Sequence, residues 1–162
     1  MEPMDVMEAG RMSLVMDPGG AAVSFWQAGE HHGAGLVNEP GTLCWNELTT
    51  RAVEESIAFY EAVVGMEVER AGGDMEYYEF HLGDGRVVGG MMPMTGDMWP
   101  PELPNHWMVY FAVDDVDATA AKCLELGGQV PVPPTLIPPG RFAVLNDPQG
   151  GHFSIIRLNE SM

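Results

Sequence analysis

Lysine is almost missing from this chain. Seven of its 162 residues are basic, Lys122 is the one lysine among them, and 24 acids set the net charge at −17. Such a surface repels phosphodiester backbones and anionic lipid headgroups, which argues against nucleic acid and membrane as partners. No apolar run reaches the ~20 residues that a membrane-spanning helix needs. The first ten residues carry Glu2, Asp5 and Glu8 without an apolar stretch, so no secretory signal is read there. Cysteine is scarce too. Cys44 and Cys123 are too few for a disulfide framework and have no metal-ligand spacing. We expect a reduced, cytoplasmic protein. What the chain does have is apolar mass. Hydrophobic residues make up 46% and charged residues 19%, which excludes disorder and leaves material for a packed core.

Residues 1–26 repeat residues 131–156 without a gap. Pro3 falls on Pro133, Gly10 and Arg11 on Gly140 and Arg141, Asp17 and Pro18 on Asp147 and Pro148, Gly20 on Gly150, and Ser24 on Ser154. Apolar positions match between these identities: Met12 with Phe142, Val23 with Phe153, Phe25 with Ile155. In both copies an alternating strand enters an Asp-Pro turn and leaves as another strand, the pattern of a hairpin.

A weaker repeat runs through the rest. Val53 falls on Val116, Ala58 on Ala121 and Gly65 on Gly128. Val53, Ile57, Tyr60 and Val64 form one apolar stripe at helical spacing, and Val116, Ala120, Cys123 and Leu124 form another. Gly65 and Gly128 are placed to end these helices at positive φ, and Asp114 or Asp115 to cap the second. Three strands are expected after each helix, at about 66–71, 75–82 and 86–94, then 129–133, 141–146 and 151–158. The pattern is βαβββ, twice. Residues 27–41 have the composition of a linker.

Ala58-Phe59-Tyr60 on the first helix, Val113 to Asp117 at the second, and Asn146 to Gly150 before the last strand resemble the vicinal oxygen chelate superfamily. That group includes glyoxalase I, extradiol dioxygenases, and bleomycin and fosfomycin resistance proteins. The stretches Gly29 to Leu48 and Asn105 to Asp115 are similar to a two-domain glyoxalase-like subgroup. The resemblance implies an α+β fold: two βαβββ modules, about 42–98 and 99–162, forming one paired half-barrel domain with a central cleft, preceded by an extra β-hairpin. Residues 1–26 then read as a remnant of a preceding like domain, 27–41 as the linker, and 42–162 as the glyoxalase-like domain.

The resemblance also implies four metal-ligand positions, one on the first and one on the last strand of each module. They fall on Trp45, about Gly89, Met108 and Ser154. Indole, hydrogen and thioether are not donors for a hard or borderline cation, so no metal and no cofactor is expected. Strand alternation adds Glu47, His106, Tyr110 and His152 to the same face. Trp45, Met108, Tyr110, His152 and Ser154 are candidate substrate-binding residues, with the alternative that Trp45, Met108 and Tyr110 only fill the half-barrel as core. Glu47 and His106 are candidate catalytic residues, because a carboxylate beside an imidazole makes an acid–base pair.

Three functions stand in order. The first is a protein that binds a small molecule in its cleft without the superfamily's metal. The second is a lyase or hydrolase-type enzyme acting on a small carbonyl compound, a 2-oxoaldehyde, through Glu47 and His106. The third is an interaction module assembling through the hairpin. A lone hairpin is marginal in water. Residues 1–26 are therefore expected to pair with another chain, as an arm exchanged in a homodimer, or else to dock on 42–162.

Overall fold

Both apolar stripes are helices, and each ends for a local reason. In the computed structural model, which describes residues 1–73 and 75–159, α1 spans Val53–Val64 and α2 spans Val116–Glu125. The predicted domain end at 162 lies outside the described residues. Gly65 terminates α1 in the left-handed region at φ 74°, where a Cβ would be strained. The Asp115 carboxylate caps α2 by accepting from the Ala118 amide at 3.0 Å. At the other end of α2 the expected residue is off by one. Gly127, at φ 85°, makes the left-handed turn. Gly128 serves close packing instead: a Cβ there would lie 2.6 Å from the Asn146 carbonyl oxygen.

The chain groups into two compact units. The first comprises Met1–Gly35 and Asn46–Trp107, the second Leu36–Trp45 and the residues from Met108 onward. The first unit opens with an antiparallel sheet of β1 (Met4–Val6), β2 (Gly10–Met16) and β3 (Ala22–Ala28), in that order. After it come the latter part of β4 (Leu43–Thr50), α1, β5 (Glu67–Arg70), β6 (Tyr78–His81) and β7 (Val87–Pro93), with the strands ordered β5-β6-β7-β4. β4 and β7 run parallel, with Glu47 beside Gly90 and Leu48 beside Met91. Leu48, Tyr60, Phe80 and Met91 form the core, and Ala21 from the hairpin turn is buried with them.

The hairpin turn is held by polar contacts as well. Tyr60 Oη donates to the buried Asp17 carboxylate at 3.1 Å and accepts from Trp107 Nε1 at 2.9 Å. Asn105 Nδ2 donates to the Gly19 carbonyl at 2.7 Å, and its Oδ1 accepts from the Arg51 amide at 2.9 Å. The segment read as a linker begins in order: the amides of Gly29 and His31 both donate to the Ala9 carbonyl.

The second unit has β8 (His106–Ala112) from Met108 on, α2, β9 (Gln129–Ile137), β10 (Gly140–Asn146) and β11 (His152–Leu158), ordered β8-β11-β10-β9. Its core is Val116, Ala120, Ala143, Leu145 and Ile155. Thr42 and Gly41 lie along β8, exchanging backbone hydrogen bonds with Ala112 at 2.9 and 2.8 Å. β9 runs longer than expected despite Pro131, Pro133 and Pro134. It is an edge strand, where a missing amide costs the sheet little. Among the described residues, no helix is long and apolar enough to cross a membrane.

Candidate functional site

Alternation along β4 sends Leu48 into the core and Glu47 to the opposite face of the sheet. The residue beside Glu47 on β7 is Gly90, whereas the count along the sequence puts the last-strand position at about Gly89. Gly89 faces the core side, where a Cβ would lie 3.0 Å from the Asn46 carbonyl oxygen and 3.8 Å from Phe80 and Trp107. The reason is an irregularity between β6 and β7. Phe80 pairs with Gly89 but His81 pairs with Val87, so Val88 is an extra residue. A bulge of this kind reverses which face the following residues present.

Tyr77 occupies the space that Gly90 leaves. It stands just before β6, tied back by a hydrogen bond from the Ala71 amide to its carbonyl at 2.8 Å. Its hydroxyl donates to Glu47 Oε2 at 2.9 Å, in a half-buried setting. Any Cβ on Gly90 would collide with that hydroxyl and with the ring carbon bearing it. Glu47, Tyr77 and Gly90 are thus one construction, in which the tyrosine reaches the carboxylate because residue 90 has no side chain. Sequence reasoning missed Tyr77. The available signal was a glycine beside a carboxylate on a buried strand pair, with two tyrosines one strand away.

His106 sits at the start of β8 with its Nδ1 2.8 Å from the Pro104 carbonyl oxygen. A carbonyl can only accept, so Nδ1 carries the hydrogen and Nε2 is left as an acceptor. The hydrogen bonds therefore give Glu47 and His106 different partners, Tyr77 for one and Pro104 for the other. His81, another imidazole of this unit, has its Nε2 3.5 Å from Glu79 Oε2.

In the second unit Ser154 and Tyr110 are both buried and stand side by side on β11 and β8. Continuing that parallel register sets His152, which is exposed, beside Met108, which is half-buried. Ser154 Oγ has no hydrogen-bond partner among the described residues. Trp45 is half-buried on β4. Cys44 lies with its sulfur 3.4 Å from the Tyr110 carbonyl oxygen, and burial pushes its thiol pKa up, which disfavours the thiolate. Among the described residues, no three His, Cys, Asp or Glu side chains converge as a metal-ligand set.

Comparisons with known proteins put this geometry in a family context. The family model described as Glyoxalase/Bleomycin resistance protein/Dioxygenase superfamily matches residues 42–155. A protein of Mycobacterium bovis named putative glyoxylase CFP32 is 53% identical over 161 residues, covering 97% of this chain and 59% of its own length. Anthracycline biosynthesis protein DnrV of Streptomyces peucetius is 40% identical over 162 residues, covering 99% of this chain and 57% of its own. The chain therefore spans less than two thirds of these relatives. Among solved structures, the 2,3-dioxygenase LapB from Pseudomonas sp. KL28 matches with a TM-score of 0.62 at 16% identity, over 96% of this chain and 60% of that one. A Streptomyces coelicolor methylmalonyl-CoA epimerase matches with 0.53 at 19% identity, over 73% of this chain and 97% of that one. At such identities the likeness is one of fold.

Proposed function

The chain belongs to the glyoxalase/bleomycin resistance protein/dioxygenase superfamily, and from that premise we propose that it binds a small, partly apolar molecule through Glu47 and Tyr77, without a divalent ion. The observation that carries this reading is the Tyr77 hydroxyl on Glu47 Oε2, filling the place of a side chain at residue 90. A carboxylate held by a fixed donor has a set orientation, and it accepts from a ligand hydroxyl or N–H directed at it. The donor set argues against an ion. Beside Glu47 the last strand of its own sheet offers only glycine at 90, which supplies no second side-chain ligand for a divalent cation. Both cysteines are free thiols, in keeping with a reducing, cytoplasmic setting.

The name of the Streptomyces peucetius relative makes an anthracycline the first ligand to test. Its own fluorescence reports binding. Saturable binding is expected, weakened about 10-fold or more by Glu47→Gln, since a hydrogen bond to a charged group contributes about 1.5–3 kcal/mol. No saturable binding, or binding that Glu47→Gln leaves unchanged, overturns the reading.

A second reading is favoured by the name of the Mycobacterium bovis relative and by the His106 tautomer. In it the protein acts on a 2-oxoaldehyde, with Glu47 and His106 in acid–base roles and His106 Nε2 as a proton acceptor. Methylglyoxal consumption, abolished by either Glu47→Gln or His106→Asn in a folded protein, would support it. Consumption that survives both substitutions would remove it.

A further inference from the structure

Among the described residues, Ser56 Oγ, His81 Nε2, Asn146 Oδ1 and Ser154 Oγ are buried without a hydrogen-bond partner. A buried polar atom left unpaired is uncommon and costs stability. His81 Nε2 has a carboxylate at 3.5 Å, and Ser56 lies within α1. The other two stand together. β10 and β11 pair Val144 with Ser154 and Asn146 with His152, so Asn146 and Ser154 are diagonal neighbours on adjacent strands. Directly paired residues point to the same side of a sheet. Ala143, Leu145 and Ile155 belong to the core formed with Val116 and Ala120 of α2. Asn146 and Ser154 are therefore on the opposite side, away from α2.

On that side β10 and β11 carry no Asp, Glu, Lys or Arg. Around Ser154 stand Tyr110 and Ile156, both buried, and Val144, half-buried. Ser154 itself is 0% exposed. A hydroxyl so placed has no solvent to bond, and any hydrogen bond it makes is stronger than in water. Asn146 lies nearer the solvent. It is half-buried, it ends β10, and its pair His152 is exposed. A group entering past His152 meets the Asn146 amide first and the Ser154 hydroxyl one row deeper. Continuing the register of β8 and β11 sets Met108 beside His152, and an unbranched thioether chain moves aside at little cost.

We propose that Asn146 and Ser154 form a binding subsite for a neutral group carrying a hydrogen-bond donor beside an acceptor, of which a carboxamide is the simplest. The Asn146 side-chain carbonyl accepts from the ligand N–H, and the Ser154 hydroxyl donates to the ligand C=O. Both atoms that lack partners in the free protein then have one. A ketone would leave the Asn146 oxygen unpaired, and a carboxylate would set a buried charge against it with no cation on these strands. An ammonium group would find no carboxylate there. The subsite uses no residue of the first unit, so it stands or falls apart from Glu47 and Tyr77.

Acetamide is the probe, with acetone and acetate as controls. Each is titrated into the isotope-labelled full chain and followed by NMR at the backbone amides of Val144, Asn146 and Ser154. Acetamide should give saturable shifts with a Kd about 5-fold or more below that of either control, and Ser154→Ala should raise that Kd about 5-fold or more, as the loss of one neutral hydrogen bond requires. Urea unfolding of Ser154→Ala without probe is the second readout. Removing an unpaired buried hydroxyl should leave stability unchanged or raise it. Acetamide shifts that do not saturate, that match the controls, or that survive Ser154→Ala overturn the proposal. So does a Ser154→Ala protein that is less stable than wild type or fails to fold, because the hydroxyl would then be bonded in the free protein.

Discussion

Replacing Gly90 with alanine is a sharp test of the Glu47–Tyr77 arrangement, because the perturbation is one methyl group. The backbone at Gly90 is not in the left-handed region, so alanine brings no backbone strain. On propensity alone it should stabilise a strand position by about 0.5–1 kcal/mol. Against this, the new methyl would overlap the Tyr77 hydroxyl and the ring carbon bearing it, and a second ring carbon, Cε1, would lie 2.8 Å away. The obstacle is a rigid ring, not the tip of a flexible chain. Either the ring stays and the strand distorts, at about 1–3 kcal/mol, or the ring withdraws and Glu47 loses a hydrogen bond worth about 1.5–3 kcal/mol. These are alternatives, so the costs do not add. A net loss of about 1–2 kcal/mol results once the propensity gain is subtracted, or about 2–8 °C in Tm for a chain of this length.

The assay is urea unfolding of four proteins: wild type, Gly90→Ala, Tyr77→Ala and the double variant. With the ring gone, the three atoms nearest to an alanine Cβ at 90 are removed, so its cost should vanish or turn into a small gain. A coupling energy above about 1 kcal/mol between the two sites is expected. Gly90→Ala costing nothing beside Tyr77, or costing the same with and without the tyrosine, refutes the construction.

Two further outcomes follow from groups away from that face. Tyr60→Phe should destabilise the protein by about 1–3 kcal/mol in the same assay, because it strips the partner from Trp107 Nε1 and a donor from buried Asp17. The Arg141 guanidinium, at 2.7 Å from both carboxylate oxygens of Asp117, holds that carboxyl below the usual carboxylate range. A carboxyl depressed on folding stabilises above its unfolded pKa, and that contribution is lost as pH falls through the folded value. Arg141→Gln should therefore raise the Asp117 pKa in an NMR titration, and an unmoved titration would refute the pairing.

Much of the fold was legible in the sequence, for physical reasons that can be named. Helical stripes fix which face is buried, so α1 and α2 could be read from Val53, Ile57 and Tyr60 and from Val116 and Ala120. The 130-residue offset survived because identities at Gly10, Asp17, Pro18 and Gly20 sit where the backbone demands them. The face of β7 could not be read. Counting by twos assumes an unbroken pleat, and the extra Val88 breaks it, which is why Gly89 was expected where Gly90 stands. Tyr77 was out of reach for a different reason. It lies outside the strand ladder, and its contact depends on an absent side chain 13 positions later. Periodicity describes what a residue does within its own element, and it carries no information about space that another element leaves empty.

The two copies of the Asp-Pro turn show how one local structure takes two roles. Asp147 uses its carboxylate within the turn, accepting from the Gln149 and Gly151 amides. Asp17 keeps the bond to the equivalent amide of Ala21 and gives its second oxygen to Tyr60, inside the core of the first unit. The turn geometry therefore does not depend on the core, and the core contact is an addition to it. Burial of its own hydroxyl pushes the Tyr60 pKa upward, so the phenol stays protonated and remains a donor to Asp17 while it accepts from Trp107. Had the hairpin only rested on the surface, Asp17 would be solvated and Tyr60 would need another partner. Its tip is instead built into the core of the first unit.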